Sequence, residues 1–172
     1  PPSHLTIEVP GYEVVEVSGA DQVWHHVEIP GAAPYLVPGR PVVPAYRVFF
    51  DFPGEHQIQD VRLVGQGEPE ALDGLRVPTT TVALAGADAM GVEGWEGQDP
   101  GWWPEEGFDW SVERGPETTT LGVTVYPFAY DEVTRRGLFF ETFELEVDHG
   151  ESPVRITRLA TDRAAYEPGE TV

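Results

Sequence analysis

Gly137-Leu138-Phe139-Phe140-Glu141-Thr142-Phe143-Glu144-Leu145-Glu146-Val147-Asp148 decides the fold class. Phe143, Leu145 and Val147 occupy alternate positions, and Thr142, Glu144 and Glu146 fall between them. A strand sends successive side chains to opposite faces, so this alternation describes a sheet with one dry face and one wet face. Nowhere does the chain carry an apolar stripe at helical spacing sustained over three turns.

Working outward, residues 118–126 are β-branched and run into Pro127. Residues 131–137 between the two runs read as a hairpin connection, with Arg135-Arg136-Gly137 at its tip. Upstream, residues 5–9 and 12–17 are β-rich and meet at Pro10-Gly11, and residues 23–29 follow the Ser18-Gly19 break. Five prolines between residues 30 and 44 exclude a central strand there, because each lacks a ladder donor, so the stretch reads as an extended edge. Residues 45–52 are strongly β and stop at Pro53-Gly54; residues 58–64 alternate; residues 77–84 form a further strand carried by Thr79-Thr80-Thr81. Residues 86–116 are rich in Gly, Asp, Glu and Trp with no clean period, and read as one long loop. The expected architecture is all-β: an antiparallel β-sandwich or open barrel with a long Trp/Gly/acidic loop. Residues 1–150 make up the domain. Residues 151–172 supply a closing strand, with Val154, Ile156 and Leu159, and a linker into a following domain.

The 172 residues suffice for one domain, and 40% hydrophobic residues suffice for a core. Acidic residues number 30 against 10 basic ones, a formal charge of −20, and every basic residue is Arg. Such a chain repels nucleic acid and anionic membranes. No apolar run is long enough to span a bilayer. There is no Cys, which removes disulfides, thiolate metal sites and a cysteine nucleophile. The lack of Lys excludes Schiff bases and phosphate-loop chemistry, and none of Ser3, Ser18, Ser111 and Ser152 lies in a Gly-x-Ser-x-Gly elbow. No catalytic residue is expected.

Binding is easier to place than chemistry. Four of the five tryptophans, Trp95, Trp102, Trp103 and Trp110, fall within sixteen residues, with Phe108 among them. Either the loop folds back to cover the core, or these rings contact a protein partner, or they form a stacking platform for sugar rings. The same loop holds Asp88, Glu93, Glu96, Asp99, Glu105, Glu106 and Asp109, but no Asp-x-Asp-x-Asp-Gly run, so calcium is a weak expectation and no cofactor is required. His25 and His26 are neighbours in an expected strand and point to opposite faces, so they cannot share a metal.

Two regions resemble the N-terminal propeptide domain of gingipain-type cysteine peptidases. The first is Gly39-Arg40-Pro41-Val42-Val43-Pro44 with the following apolar strand and Phe52-Pro53-Gly54; the second is Val123-Thr124-Val125-Tyr126-Pro127-Phe128-Ala129-Tyr130-Asp131 with the closing strand. Together they cover residues 39–64 and 117–148, and they carry no catalytic group. The resemblance implies a β-sandwich-like domain of a secreted or cell-surface precursor, which assists folding of a cysteine peptidase and keeps it inactive. In that family a basic residue on a loop enters the active-site cleft. Arg114, Arg135 and Arg136 are the exposed basic candidates, though none aligns with the family's residue. Residues 161–172 resemble instead the start of an immunoglobulin-like or macroglobulin-like domain. The expected partner is a downstream domain of the same polypeptide. The alternative is a carbohydrate-binding or adhesive module that uses the Trp-rich loop.

Overall fold

In the computed structural model of the chain, residues 2–80 and 101–151 are described. Along them run β1 (Ser3–Glu8), β2 (Glu13–Ser18), β3 (Val23–Glu28), β4 (Ala33–Tyr35), β5 (Val43–Pro53), β6 (His56–Gln66), β7 (Glu70–Asp73), β8 (Phe108–Arg114), β9 (Thr118–Val125), β10 (Phe128–Asp131), β11 (Arg136–Phe139) and β12 (Thr142–Glu151). No helix occurs among the described residues. The strands form a four-stranded sheet in the order β4-β5-β9-β8, two three-stranded sheets, β1-β12-β6 and β10-β11-β7, and the ribbon β2-β3. Every ladder is antiparallel.

The four-stranded sheet and the β1-β12-β6 sheet close on one apolar core. Leu121, Val123 and Val125 alternate along β9, Phe143, Leu145 and Val147 along β12, and all six side chains are completely buried. Ile7 from β1 and Ile58 and Val61 from β6 join the same cluster. The opposite face of β12 is wet: Glu144 and Asp148 are exposed, and Glu146 accepts a hydrogen bond from Arg62 of β6. The all-β expectation therefore holds, and its sandwich form is the one realised.

Several local expectations are corrected. The run 137–148 is two strands in different sheets. β11 pairs with β10 and β7, whereas β12 pairs with β1 and β6. The chain crosses between sheets at Phe140, whose N–H donates to the Pro127 carbonyl (2.8 Å), and Glu141, whose carbonyl accepts from Val9 (2.8 Å). Strand alternation continues through the crossing, so the pattern cannot reveal it. The hairpin tip lies earlier than expected, because Asp131 pairs with Arg136 in the ladder. Asp131 instead holds the turn, accepting from the Val133 N–H (3.0 Å) and the Thr134 hydroxyl (2.7 Å), while Arg135 takes a positive φ of 55°. β1 pairs with β12, not with β2 across Pro10-Gly11. Within 77–84, the described part makes only a bridge between Pro41 and Thr79, and residues 81–84 lie outside the described residues. β7 and β8 were not expected. β8 lies inside the supposed loop, where Phe108, Trp110 and Val112 alternate with Asp109, Ser111 and Glu113.

The Pro-dense stretch supplies the edge strand β4, but Pro44 falls in the interior strand β5, at its start, before the pairing with β9 begins. β4 is an edge strand, and its Pro34 faces Pro44 of β5, so two residues without N–H groups oppose each other at the sheet margin. The expected strand at Val154, Ile156 and Leu159, and the tail 161–172, lie outside the described residues.

Gly137 shows how tightly β11 sits on the core, since a Cβ there would come within 2.3 Å of the Phe128 ring. Phe143→Ala should lower unfolding free energy in urea by about 3–5 kcal/mol, while Glu144→Ala one position on should stay within about 0.5 kcal/mol. Equal effects would contradict the assignment of the two faces.

Candidate functional site

The Trp-rich segment meets the sandwich at the end where β4 and β5 pair. Trp103 is held by a two-way bridge to Tyr130 of β10: each N–H donates to the other's carbonyl, at 2.9 and 2.8 Å. Its indole N–H donates to the Pro41 carbonyl at 3.1 Å. The ring stacks on Tyr35 of β4 with centroids 5.7 Å apart and planes 8° from parallel, and the Arg40 guanidinium sits 4.8 Å from its centroid. Tyr35 also packs on Tyr126, at 4.6 Å between centroids. Burial, and then Tyr35 alongside, pushes the Tyr126 phenol well above its ordinary range, so it stays a neutral donor.

These groups enclose an open groove of about 580 Å³ lined by Tyr35, Val37, Arg40, Trp103, Phe108 and Tyr126, with Glu105, Glu106 and Asp109 at its margin. Glu105 lies 3.7 Å from Arg40 but is 77% exposed, so solvent screens most of that attraction. Ring edges, a guanidinium and carboxylates offer packing and hydrogen bonding. Among the described residues no group of three or more His, Asp or Glu side chains could hold a metal ion.

Of the rings expected to make contacts, Trp95 lies outside the described residues, as do Asp88, Glu93, Glu96 and Asp99. Trp103, Phe108 and Trp110 pack against the core, and Trp102 is 39% exposed. The structure thus brings Trp103 and Phe108 to one groove and leaves Trp102 facing solvent. Of the basic candidates, Arg136 donates to Asp73 at 2.9 Å, whereas Arg114 and Arg135 are exposed at the end of β8 and on the β10–β11 turn.

The histidines divide in an unexpected way. His25 is a packed residue: its Nδ1 accepts from the Arg76 N–H at 2.9 Å, and its own N–H donates to the Arg76 carbonyl. His56 and His149, 93 positions apart, meet. Their Nδ1 atoms lie 3.0 Å apart, and His149 Nε2 lies 2.7 Å from the Ser3 hydroxyl. Burial first, then the His56 neighbour, holds His149 below the ordinary histidine range. The only available signal was period two: Val147 and His149 share a face of β12, as do His56 and Ile58 on β6.

Trp103→Ala removes a stacked ring and a half-buried indole hydrogen bond, and should cost about 3 kcal/mol of stability by thermal or urea unfolding. Trp102→Ala should cost no more than about 0.5 kcal/mol. A neutral Trp103→Ala would mean that the ring does not anchor the loop.

No protein-family model matches the sequence. No curated protein matches it either. Among solved structures, the chain is similar to one in the complex of Porphyromonas gingivalis RgpB pro- and mature domains, at 14% identity and a TM-score of 0.67, covering 91% of this chain and 86% of that one. It is also similar to a chain in a structure concerned with the zymogenic latency of gingipain K from Porphyromonas gingivalis, at 18% identity and a TM-score of 0.63, covering 87% of each. The chain shares the fold of these gingipain-derived chains over nearly its whole length.

Proposed function

We propose that this chain is a non-catalytic, propeptide-like domain of a secreted or cell-surface precursor. It packs against a gingipain-type cysteine peptidase domain, assists its folding and holds it inactive. The observation that carries this reading is the two-sided coverage of the fold match. Shares of 91% and 86%, and of 87% and 87%, mean that each matched chain is about as long as this one. A module of this size that recurs in a pro-domain complex and in a study of zymogen latency favours the latency role. One fold hosts many functions, so the role lies in the residues the fold displays.

The residue inventory supports the same reading. A chain without Cys or Lys, and with no serine in a nucleophile elbow, has little with which to perform covalent catalysis. What it offers is surface. Residues 1–150 form the contact body in this reading, and residues 151–172 lead towards the neighbouring domain. Trp102 is a ring free to bury in a partner, and aromatic anchors dominate such interfaces. A formal charge of −20 speeds encounter with a positively charged partner face and makes it salt-dependent.

The test is to titrate the purified chain into the peptidase domain of its own precursor and to follow peptide cleavage. Activity should fall to near zero at a one-to-one ratio, with an association rate that drops by at least tenfold between low and high salt. Full activity at saturating chain, with no complex on gel filtration, would overturn the proposal. A Trp102 fluorescence change with polysaccharides, in place of inhibition, would favour the glycan-binding module instead.

A further inference from the structure

The open end of the sandwich opposite the Trp103 groove is closed by polar groups. His149 on β12, His56 on β6 and Ser3 on β1 occupy the three strands of one layer. Phe52 on β5 of the other layer packs on the His149 ring, at 4.8 Å between centroids. The buried Thr119 of β9 ties down the neighbouring turn, donating to the His56 carbonyl at 3.0 Å. Val147 and Ile58, both buried, lie one turn of the pleat inward. The two imidazoles therefore plug the end of the core at the seam between the layers. A register irregularity between Asp148 and His149 falls at the same place.

The geometry points to a pH-sensitive clasp: the His56–His149 pair seals this end of the sandwich when it carries at most one proton, and opens when both rings are protonated. The contact sets the stoichiometry. Two Nδ1 atoms at 3.0 Å can share only one hydrogen between them. A neutral pair, or a singly protonated pair, satisfies that contact. A doubly protonated pair sets N–H against N–H and places like charges together in a half-buried seam.

The surroundings decide the direction. His149 is disfavoured as a cation by burial and by His56, and favoured by Asp148 on its own strand. Glu151 stands across the ladder from His56. His4 and Glu146 pair with each other at 3.9 Å, one on β1 and one on β12. From β5 and β9 the groups that meet the pair are the uncharged Phe52 and Thr119. Depressed protonation in the folded state means that the unfolded chain binds more protons in mild acid. Stability is therefore complete above the ordinary histidine range and falls as the pH drops through it. With one proton in excess on the unfolded chain, the folding constant falls about tenfold per pH unit. Because Glu151 faces His56 across the ladder, opening first loosens the β6–β12 pairing beside the clasp. The inference concerns the domain alone and stands whether or not the chain inhibits a peptidase.

The test uses the full 172-residue chain. Histidine ring resonances followed by NMR from pH 8 to pH 5 should show His56 and His149 titrating as a coupled pair, with His149 below the ordinary histidine range. Amide exchange at residues 3–5, 56–58 and 149–151 should speed up by tenfold or more between pH 7.5 and 5.5, after correction for intrinsic rates, while 121–125 stays protected. In His56→Gln, and separately in His149→Gln, the thermal midpoint should lose most of its decline between those pH values. If either variant fails to fold, the titration and exchange of the wild-type chain still decide. Independent, ordinary titration of both rings, or uniform exchange across the domain, would overturn the inference.

Discussion

Everything in this fold depends on the buried core that β9 and β12 fill from opposite layers. Leu121, Val123 and Val125 on one layer and Phe143, Leu145 and Val147 on the other are removed from water completely. Neither sheet could hide its apolar face alone, and each strand is central in its own sheet, flanked on both sides. Burial at about 25 cal/mol per Å² of apolar surface acts without direction. The alternation of each strand is what makes it select these faces and not their wet opposites. The two ends of the layer contact are then finished differently: one by the ring cluster around Trp103, the other by the imidazoles of His56 and His149.

That division explains which parts of the chain could be read in advance. The alternation of 143–147 and the β-branched run at 118–126 gave the class and the two central strands, because burial on one face writes a period of two directly into the sequence. The Pro-dense stretch gave an edge for an equally local reason. The crossing at Phe140 and Glu141 was not legible, because changing sheet does not interrupt alternation. β8 was hidden for the opposite reason: Asp109, Ser111 and Glu113 make its composition look like a loop, Phe108 and Trp110 read equally as contact rings, and Val112 alone completes the alternation. β7, four residues long, carries too little pattern to register.

The candidate sites follow the same logic. The aromatic cluster was visible as an unusual density of tryptophan, but only tertiary structure separates Trp103, engaged by Tyr35, Arg40 and Pro41, from the more open Trp102. The histidine pair arises from strand order. β6 and β12 are adjacent, and their antiparallel register brings the start of one beside the end of the other. No local pattern in the sequence encodes such a meeting. Among the described residues the domain thus offers a ring-lined groove at one end and a histidine seam at the other.

Hydrogen–deuterium exchange of the chain alone and in the presence of a gingipain-type cysteine peptidase domain tests the central claim most directly. The account predicts that exchange slows over one contiguous surface patch on binding, while the amides of β9 and β12, already protected, do not change. Identical exchange in both samples, at concentrations where the peptidase is in excess, would contradict a domain that acts by contact.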